Sequence, residues 1–474
     1  MLFNTLTYLL FLPMVFALYW VAKGVKAQNW VILLASMVFY GWWSVPCLGL
    51  MIGTCLLNYL FIHQMQRARK RKVWMMLSLM LNFGVLGVFK YFNFFADNLA
   101  ALMSLWGLHA DMPTLSLILP VGISFYTFQL SAYVIDCYKK ELEPTHSLLQ
   151  FLTFICFFPQ LVAGPIERGK NLLPQFNSQR RFDHTQATEG LRLILWGLVK
   201  KMLIADNCAA QVDYIFSNYA TLSLPTLWLG ALYFTFQIYG DFSGYSDMAV
   251  GSAKLFGINI SQNFNKPYFA TSMQDFWRRW HITLMGWFKD YVYIPLGGNR
   301  KGKLRRELNI LTVFLLSGLW HGSNWTFVLW GAYHALVYKL PVKYITFIAV
   351  LIGWVFFRAE DVGMAWGYLS HMFNPNWMAA PECSKMPLLL IALLVITEWL
   401  MKEATHPFQW KNQGWQSSQW IRMACYLIVF FATIMLGGEK VQFIYFQFLL
   451  LTSYLLLLTS ITSPLFPIHH QKGW

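Results

Sequence analysis

The residues best suited to chemistry are histidines set among apolar neighbours. His321 closes the run Leu311 to Gly322, in which nearly every other side chain is apolar. An ionisable side chain inside a membrane-spanning stretch is costly and marks a functional site by default. Low dielectric holds an imidazole in its neutral form, and a neutral imidazole can take a proton from a hydroxyl. The structural alternative is a packing histidine that hydrogen-bonds a neighbouring helix, and one residue alone does not separate the two. Side chains on a helix lean over the preceding turn, where Ser317 and Gly318 stand. Both are small, so a groove beside His321 with room for a reacting group is expected. Gly322-Ser323-Asn324 follows as a turn-like cluster that breaks the helix and opens a way for an acceptor.

His281 sits differently. From Phe276 to Pro295, Trp277, Trp280, His281, Leu284, Phe288 and Tyr291 recur three or four apart, with Arg279, Thr283, Gly286 and Asp290 opposite. The spacing predicts one amphipathic interfacial helix with His281 on its buried side. Asp241 and Asp247 bracket Phe-Ser-Gly-Tyr-Ser after an aromatic span, where they orient a histidine or cap a helix, and capping is the simpler role. Arg278, Arg279 and Arg300 lie in a basic region that also holds a glycine turn, Leu296-Gly297-Gly298-Asn299, and could bind a donor's phosphates. Topology charges explain such arginines equally well. His334, thirteen positions after His321 and without polar neighbours, reads as structural, and the remaining histidines, His406 among them, fall near segment ends and read as solvated. The seven cysteines show no zinc or redox spacing, and HExxH, CxxC and GxSxG are absent. Neither a metal nor a bound cofactor is expected.

The elements that must position these residues belong in lipid. Of 474 residues 57% are hydrophobic and 12% charged, against roughly 25% charged in soluble domains. Apolar runs near the ~20 residues that a spanning helix needs recur along the chain, as in Asn4 to Val21, Trp74 to Phe89 and Pro387 to Met401. The first lacks a basic start and a small-residue cleavage site, so it reads as part of the mature protein and not as a secretory signal. The net charge of +15 lies in short loops between apolar segments, which reports topology and excludes a nucleic-acid partner. Arg67 to Lys72 and Arg278 to Arg306 are placed inside, and counting back puts the N-terminus outside. Leu148 to Val162, broken by Pro159 between two basic loops, fits a re-entrant segment buried by protein. A helix starting near Asn309 would carry His321 on the order of 18 Å inward. No linker or repeat interrupts the chain, so residues 1–474 read as one all-α polytopic membrane unit.

Asp275-Phe-Trp-Arg-Arg-Trp-His-Ile-Thr-Leu284, Asp290-Tyr-Val-Tyr-Ile-Pro-Leu-Gly-Gly-Asn-Arg300 and Ser317-Gly-Leu-Trp-His-Gly-Ser-Asn-Trp325 together resemble the membrane-bound O-acyltransferase family, in its bacterial alginate O-acetyltransferase branch. Phe158-Pro-Gln-Leu-Val-Ala-Gly-Pro-Ile166, Asp241-Phe-Ser-Gly-Tyr-Ser-Asp247, Asn263-Phe-Asn-Lys-Pro-Tyr268, Trp354-Val-Phe-Phe-Arg-Ala359 and Phe443-Ile-Tyr-Phe-Gln-Phe448 extend the likeness over essentially the full length. The resemblance implies roughly eleven spanning helices with re-entrant and interfacial segments, and a catalytic core within residues 115–340. It implies that His321 is the catalytic histidine and His281 the second signature histidine, in chemistry or in shaping the site. It also implies a cytosolic acyl thioester donor, acetyl-coenzyme A or similar, used as a co-substrate. The acceptor would be a periplasmic partner protein that acetylates alginate or another exopolysaccharide, with the chain in a bacterial inner membrane. Rival readings are acetate for peptidoglycan, D-alanine for teichoic acid and, from another class, a transporter of an acyl donor or glycan. Inverted repeats and paired broken helices would favour the transporter, and the sequence shows neither.

Overall fold

The protein is described from a computed structural model covering residues 1–108, 112–339, 345–375, 378–401, 403–410, 416, 418–441, 443 and 444. The stretch 445–448 of the last resembling motif lies outside them, as does His109.

The bundle is apolar on much of its surface as well as in its core. Helix α1 (Leu6–Val21) exposes Leu6, Leu9, Leu10, Met14 and Leu18 while burying Tyr8, Phe11, Val15 and Tyr19. A helix apolar all round suits hydrocarbon. Polar side chains turn inward instead. Helices α2 (Val25–Gly41), α3 (Val45–Arg67) and α4 (Arg71–Leu86) follow, and Asn58 and Asn82 exchange buried amide hydrogen bonds of 2.7 and 3.1 Å between α3 and α4. Only such pairing makes buried amides tolerable. A π turn, Gly87–Tyr91, carries α4 into α5 (Phe92–Ser104). By length and composition Val45–Arg67 and Arg71–Ser104 each suffice to cross a membrane, and Leu6–Val21, Thr346–Arg358, Met386–Leu400 and Gln419–Met435 are shorter apolar helices.

Helices α6 (Ile123–Lys139), α7 (Leu148–Cys156) and α8 (Phe158–Leu161) enter the core. The break expected at Pro159 falls two residues earlier, at Phe157, because Pro159 opens α8, where its missing N–H costs nothing. Every residue from 151 to 167 is buried, which is what broken backbone in such a bundle requires.

Helices α9 (Gly169–Asn177), α10 (His184–Leu198), α11 (Asp206–Ser217) and the 32-residue α12 (Leu224–Leu255) come next, with a π turn, Val199–Ala205, joining α10 to α11. Helices α10 and α12 cross on two glycine pairs: a Cβ on Gly190 would stand 2.6 Å from the Gly251 carbonyl oxygen, and one on Gly197 2.5 Å from that of Gly244. Small residues allow backbones to approach this closely where no hydrophobic effect drives helices together. The predicted helix Phe276 to Pro295 is instead two, α13 (Met273–Arg279) and α14 (Ile282–Phe288), then a π turn, Lys289–Tyr293. Helix α15 (Gly302–His321) begins seven residues earlier than expected, and Asn309 lies inside it. Helices α16 (Trp325–Val337), α17 (Thr346–Arg358), α18 (Val362–Met372), α19 (Met386–Leu400) and α20 (Gln419–Met435) complete the described chain.

Candidate active site

His321 is the last residue of α15, and Gly322 in extended conformation ends the helix as expected. Asn324 then caps α16, its Oδ1 accepting from the Thr326 N–H at 3.0 Å and its Nδ2 donating to the Glu360 carbonyl. Its side chain therefore starts the next helix. At 1.5 Å per residue the 20 residues of α15 carry His321 about 28 Å from Gly302.

A helix end leaves carbonyls without intrahelical partners. Here the π turn Gly87–Tyr91 supplies donors: Lys90 Nζ bonds the carbonyls of Trp320 and, at 3.3 Å, His321, while Tyr91 Oη donates to Leu319 at 2.7 Å. Lys90 also donates to Ser124 Oγ on α6 at 3.2 Å. A cation at a helix C-terminus is electrostatically favoured, so Lys90 and Tyr91 fix the segment that carries His321. Sequence reasoning passed over Lys90, although an ionisable residue in an apolar run was the available signal. Lys90 and Phe357, a further neighbour of His321, lie outside residues 115–340.

The His321 ring stands edge-on to Trp320, Trp330 and Phe357, with centroids 5.0, 5.2 and 5.1 Å away. His281 reaches the same Trp320 at 5.8 Å and lies 4.7 Å from Phe242. It occupies the break between α13 and α14 at φ 44°, a left-handed conformation uncommon outside glycine. That break is held from outside: the Asn265 N–H donates to the Arg279 carbonyl, the Ile282 N–H to the Asn263 carbonyl, and Thr283 Oγ1 to Asn263 Oδ1 at 2.6 Å. The Asn263-to-Tyr268 motif thus clamps the turn that aims His281 inward. Neither ring nitrogen of His281 has a hydrogen-bond partner among the described residues. Strain at one residue that is also a buried polar orphan is a pattern found at functional sites.

The space beside Ser317 and Gly318 is filled. A Cβ on Gly318 would meet the Phe327 carbonyl oxygen at 2.1 Å, and one on Gly331 that of Phe314 at 2.3 Å. The small residues serve the α15–α16 crossing, and the expected groove is not on that face. Asp241 and Asp247 cap nothing either. Both lie mid-α12 and bind lysines of the π turn Val199–Ala205: Lys201 reaches Asp241 at 2.8 Å and Asp206 at 2.7 Å, and Lys200 reaches Asp247 at 2.6 Å. Asp241 also accepts from the Ile444 N–H at 2.6 Å, seating the segment that brings Phe443 against Phe242 and Tyr245. These carboxylates support the site through structure, since Phe242 of that helix packs on His281. His406, expected to be solvated, is buried and lies 2.7 Å from Glu189 Oε1.

A cavity of about 790 Å³ opens beside α13, α14 and α15. Arg278, Lys289, Arg306 and Lys339 line it; Arg306 and Lys339 share Glu307, so Arg278 and Lys289 give most of its net positive charge, and Trp277, Ile310 and Phe314 form its apolar wall. Of the three arginines singled out, Arg278 lines it, Arg279 is paired with Asp275 at 2.9 Å, and the exposed Arg300 is not among its lining residues. Neither His321 nor His281 lines it. One aromatic layer intervenes: Trp277 lies 5.7 Å from Trp330, which packs on His321.

Residues 138–373 match the membrane-bound O-acyltransferase family model. A probable alginate O-acetylase of Pseudomonas aeruginosa is 41% identical over 387 residues, 77% of this chain and 73% of that protein. A probable alginate O-acetylase of Pseudomonas putida is 37% identical over 93% of this chain and 98% of its own length. A peptidoglycan O-acetyltransferase of Helicobacter pylori is 34% identical over 94% of this chain and 98% of its own. The chain belongs to the membrane-bound O-acyltransferase family, in its alginate O-acetylase-like branch, and is an acyltransferase.

Proposed function

We propose that this acyltransferase moves an acetyl group from a cytosolic thioester, acetyl-coenzyme A or a carrier-bound equivalent, to a hydroxyl arriving from the opposite side. The acceptor is a periplasmic partner protein that acetylates alginate or a similar exopolysaccharide. The observation that carries this reading is the course of α15. Its first turns bring Arg306 to the rim of the cationic cavity, Phe314 forms the wall, and His321 ends it two turns beyond Phe314, about 10 Å on. Phosphates held at the rim would let an extended thioester arm approach the histidine.

The chemistry asks little more. A thioester carbonyl is already activated, so the protein must align donor and hydroxyl in a dry site and handle one proton. His321 takes the hydroxyl proton as the oxygen attacks the carbonyl carbon. The C–S bond then breaks, and the proton passes to the leaving thiolate. His281, strained and aimed at the same Trp320, shapes or contacts the reacting group. Arg278 carries the electrostatic part of donor binding, and Lys289 joins it in place of Arg279 and Arg300.

The topology proposed is multi-pass in a bacterial inner membrane with roughly eleven spans and the N-terminus outside. Supporting it, the loops flanking α1, α2 and α3 alternate between Lys23, the aromatic pair Trp42-Trp43 and the basic Arg67 to Lys72, as positive-inside charge and interfacial aromatics require. Peptidoglycan is the rival acceptor, favoured by the Helicobacter pylori relative. The test reconstitutes the protein in liposomes with labelled acetyl-coenzyme A and either acceptor system. Ester formation by the unsubstituted chain and loss of about 10³-fold or more in His321→Ala is expected, general-base removal alone being worth roughly 10²–10⁴. Unimpaired transfer by His321→Ala sinks the catalytic assignment, and label crossing without ester formation favours the transporter.

A further inference from the structure

His334, on α16, has no role in the mechanism above. Its ring is fully buried, and neither Nδ1 nor Nε2 has a hydrogen-bond partner among the described residues. Buried polar atoms are nearly always satisfied, so two orphaned nitrogens on one ring call for a physical reason. Position supplies one. The ring lies 5.0 Å from Trp277 and is stacked on Phe314 at 6.3 Å, both of which line the cationic cavity. It also lies 4.8 Å from Trp330, which touches Trp277 at 5.7 Å and whose ring is 5.2 Å from His321. One side chain therefore separates His334 from the cavity, and one from His321.

The ring is packed closely on every element it meets. Helix α17 approaches through Gly353, where a Cβ would stand 2.6 Å from His334 Nε2. Trp277 Nε1, Trp330 Nε1 and Thr326 Oγ1 are orphaned as well, so the layer between cavity and His321 is apolar in bulk but studded with unmet donors. A neutral imidazole offers one N–H donor and one lone pair. A secondary amide has a carbonyl to accept and an N–H to give, so it can meet either nitrogen, one amide to one nitrogen. A pantetheine arm carries such amides between its phosphate and its thioester, and it would cross this layer on the way from the cationic rim to His321.

We infer that His334 is a donor-binding residue that holds an amide of a pantetheine-type thioester between the cavity and His321. The inference rests on the acyl-transfer reading above. The same arm comes either on coenzyme A or on a carrier protein.

The experiment uses the full chain in lipid nanodiscs with four donors: acetyl-coenzyme A, an acetylated carrier protein, acetyl-pantetheine and S-acetyl ethanethiol, which has no amide. Loss of a buried hydrogen-bond partner predicts that His334→Phe lowers kcat/KM about 10- to 100-fold for the amide-bearing donors, with S-acetyl ethanethiol unaffected. His334→Gln, which restores a donor and an acceptor, should recover part of the loss. Comparing acetyl-coenzyme A with the carrier in the unsubstituted protein identifies the source of the arm. Equal loss for all four donors, or none for the amide-bearing ones, overturns the inference while acyl transfer stands. Failure of the unsubstituted protein with every thioester overturns acyl transfer itself, and this inference with it.

Discussion

Gly318→Ala separates two meanings of a small residue beside the histidine proposed as the base. If Gly318 lined a groove, alanine would be tolerated and would add helix propensity worth about 1 kcal/mol. The structure places the new Cβ 2.1 Å from the Phe327 carbonyl oxygen and 2.9 Å from its carbon, where ordinary contact begins at 3.4 Å. The start of α16 would have to retreat from the end of α15 by about 1.3 Å. Overpacking of this kind costs typically 1–3 kcal/mol, which the helix gain offsets in part, leaving a loss of about 0–2 kcal/mol, so the variant should still fold with a thermal shift of a few degrees. Turnover is another matter. Trp330 on α16 walls the His321 ring, and a misplacement of about 1 Å can cost on the order of 100-fold in rate. The expected result is near-normal thermal unfolding in detergent with kcat down about 100-fold in the liposome assay. Gly53→Ala is the control, since a Cβ there meets nothing within 4 Å. Full turnover by Gly318→Ala would refute the tight-crossing argument and restore the groove.

Two further substitutions test the charges. Lys201→Met strands Asp206 and Asp241 together in the interior, and breaking a buried ion pair typically costs about 3–5 kcal/mol; thermal unfolding should show the loss, and adding Asp241→Asn should recover part of it. Arg278→Gln should raise KM for acetyl-coenzyme A severalfold with kcat nearly unchanged, and the effect should shrink as salt rises; a fall in kcat at constant KM would place Arg278 outside donor binding.

What the sequence made legible follows from the reach of each signal. Spacing three and four apart correctly put Trp277, Trp280, His281, Leu284 and Phe288 on the buried side, because burial depends on local geometry. It could not reveal the break at His281, which is imposed by hydrogen bonds from Asn263 and Asn265, some twenty residues away in the chain. The pairing of Asp241 with Lys201 was invisible for the same reason: 40 positions separate them, and a π turn re-aims the lysine. Gly318 shows a different limit, since a small residue reads alike whether it lines a space or lets a neighbour fill it. Lys90 was legible and overlooked, being a cation in an apolar run.

The distribution of unmet polar atoms then bears on what the interior is for. Lys200, Lys201, Asp206, Asp241 and Asp247 are all ion-paired, and Glu398 accepts from Tyr239 Oη at 2.6 Å. A transporter would be expected to leave such charges available along its pathway, since it must bind and release a solute there. Here the charges are spent on holding α12, the π turn Val199–Ala205 and the segment at Ile444 together. Among the buried groups without hydrogen-bond partners in the described residues are neutral ones close to His321: both nitrogens of His281 and His334, and the indole N–H groups of Trp277 and Trp330. Trp277 and Trp330 form the aromatic layer between a cationic cavity and His321, and His334 packs on both. Neutral donors in a dry layer suit a substrate that is itself polar but uncharged where it reacts, and a thioester with its amide arm meets that description while its phosphates stay at the rim. The pairing of the α12 carboxylates, set against the neutral groups without partners near His321, therefore favours acyl transfer over solute passage, and the His334 donor series probes it directly.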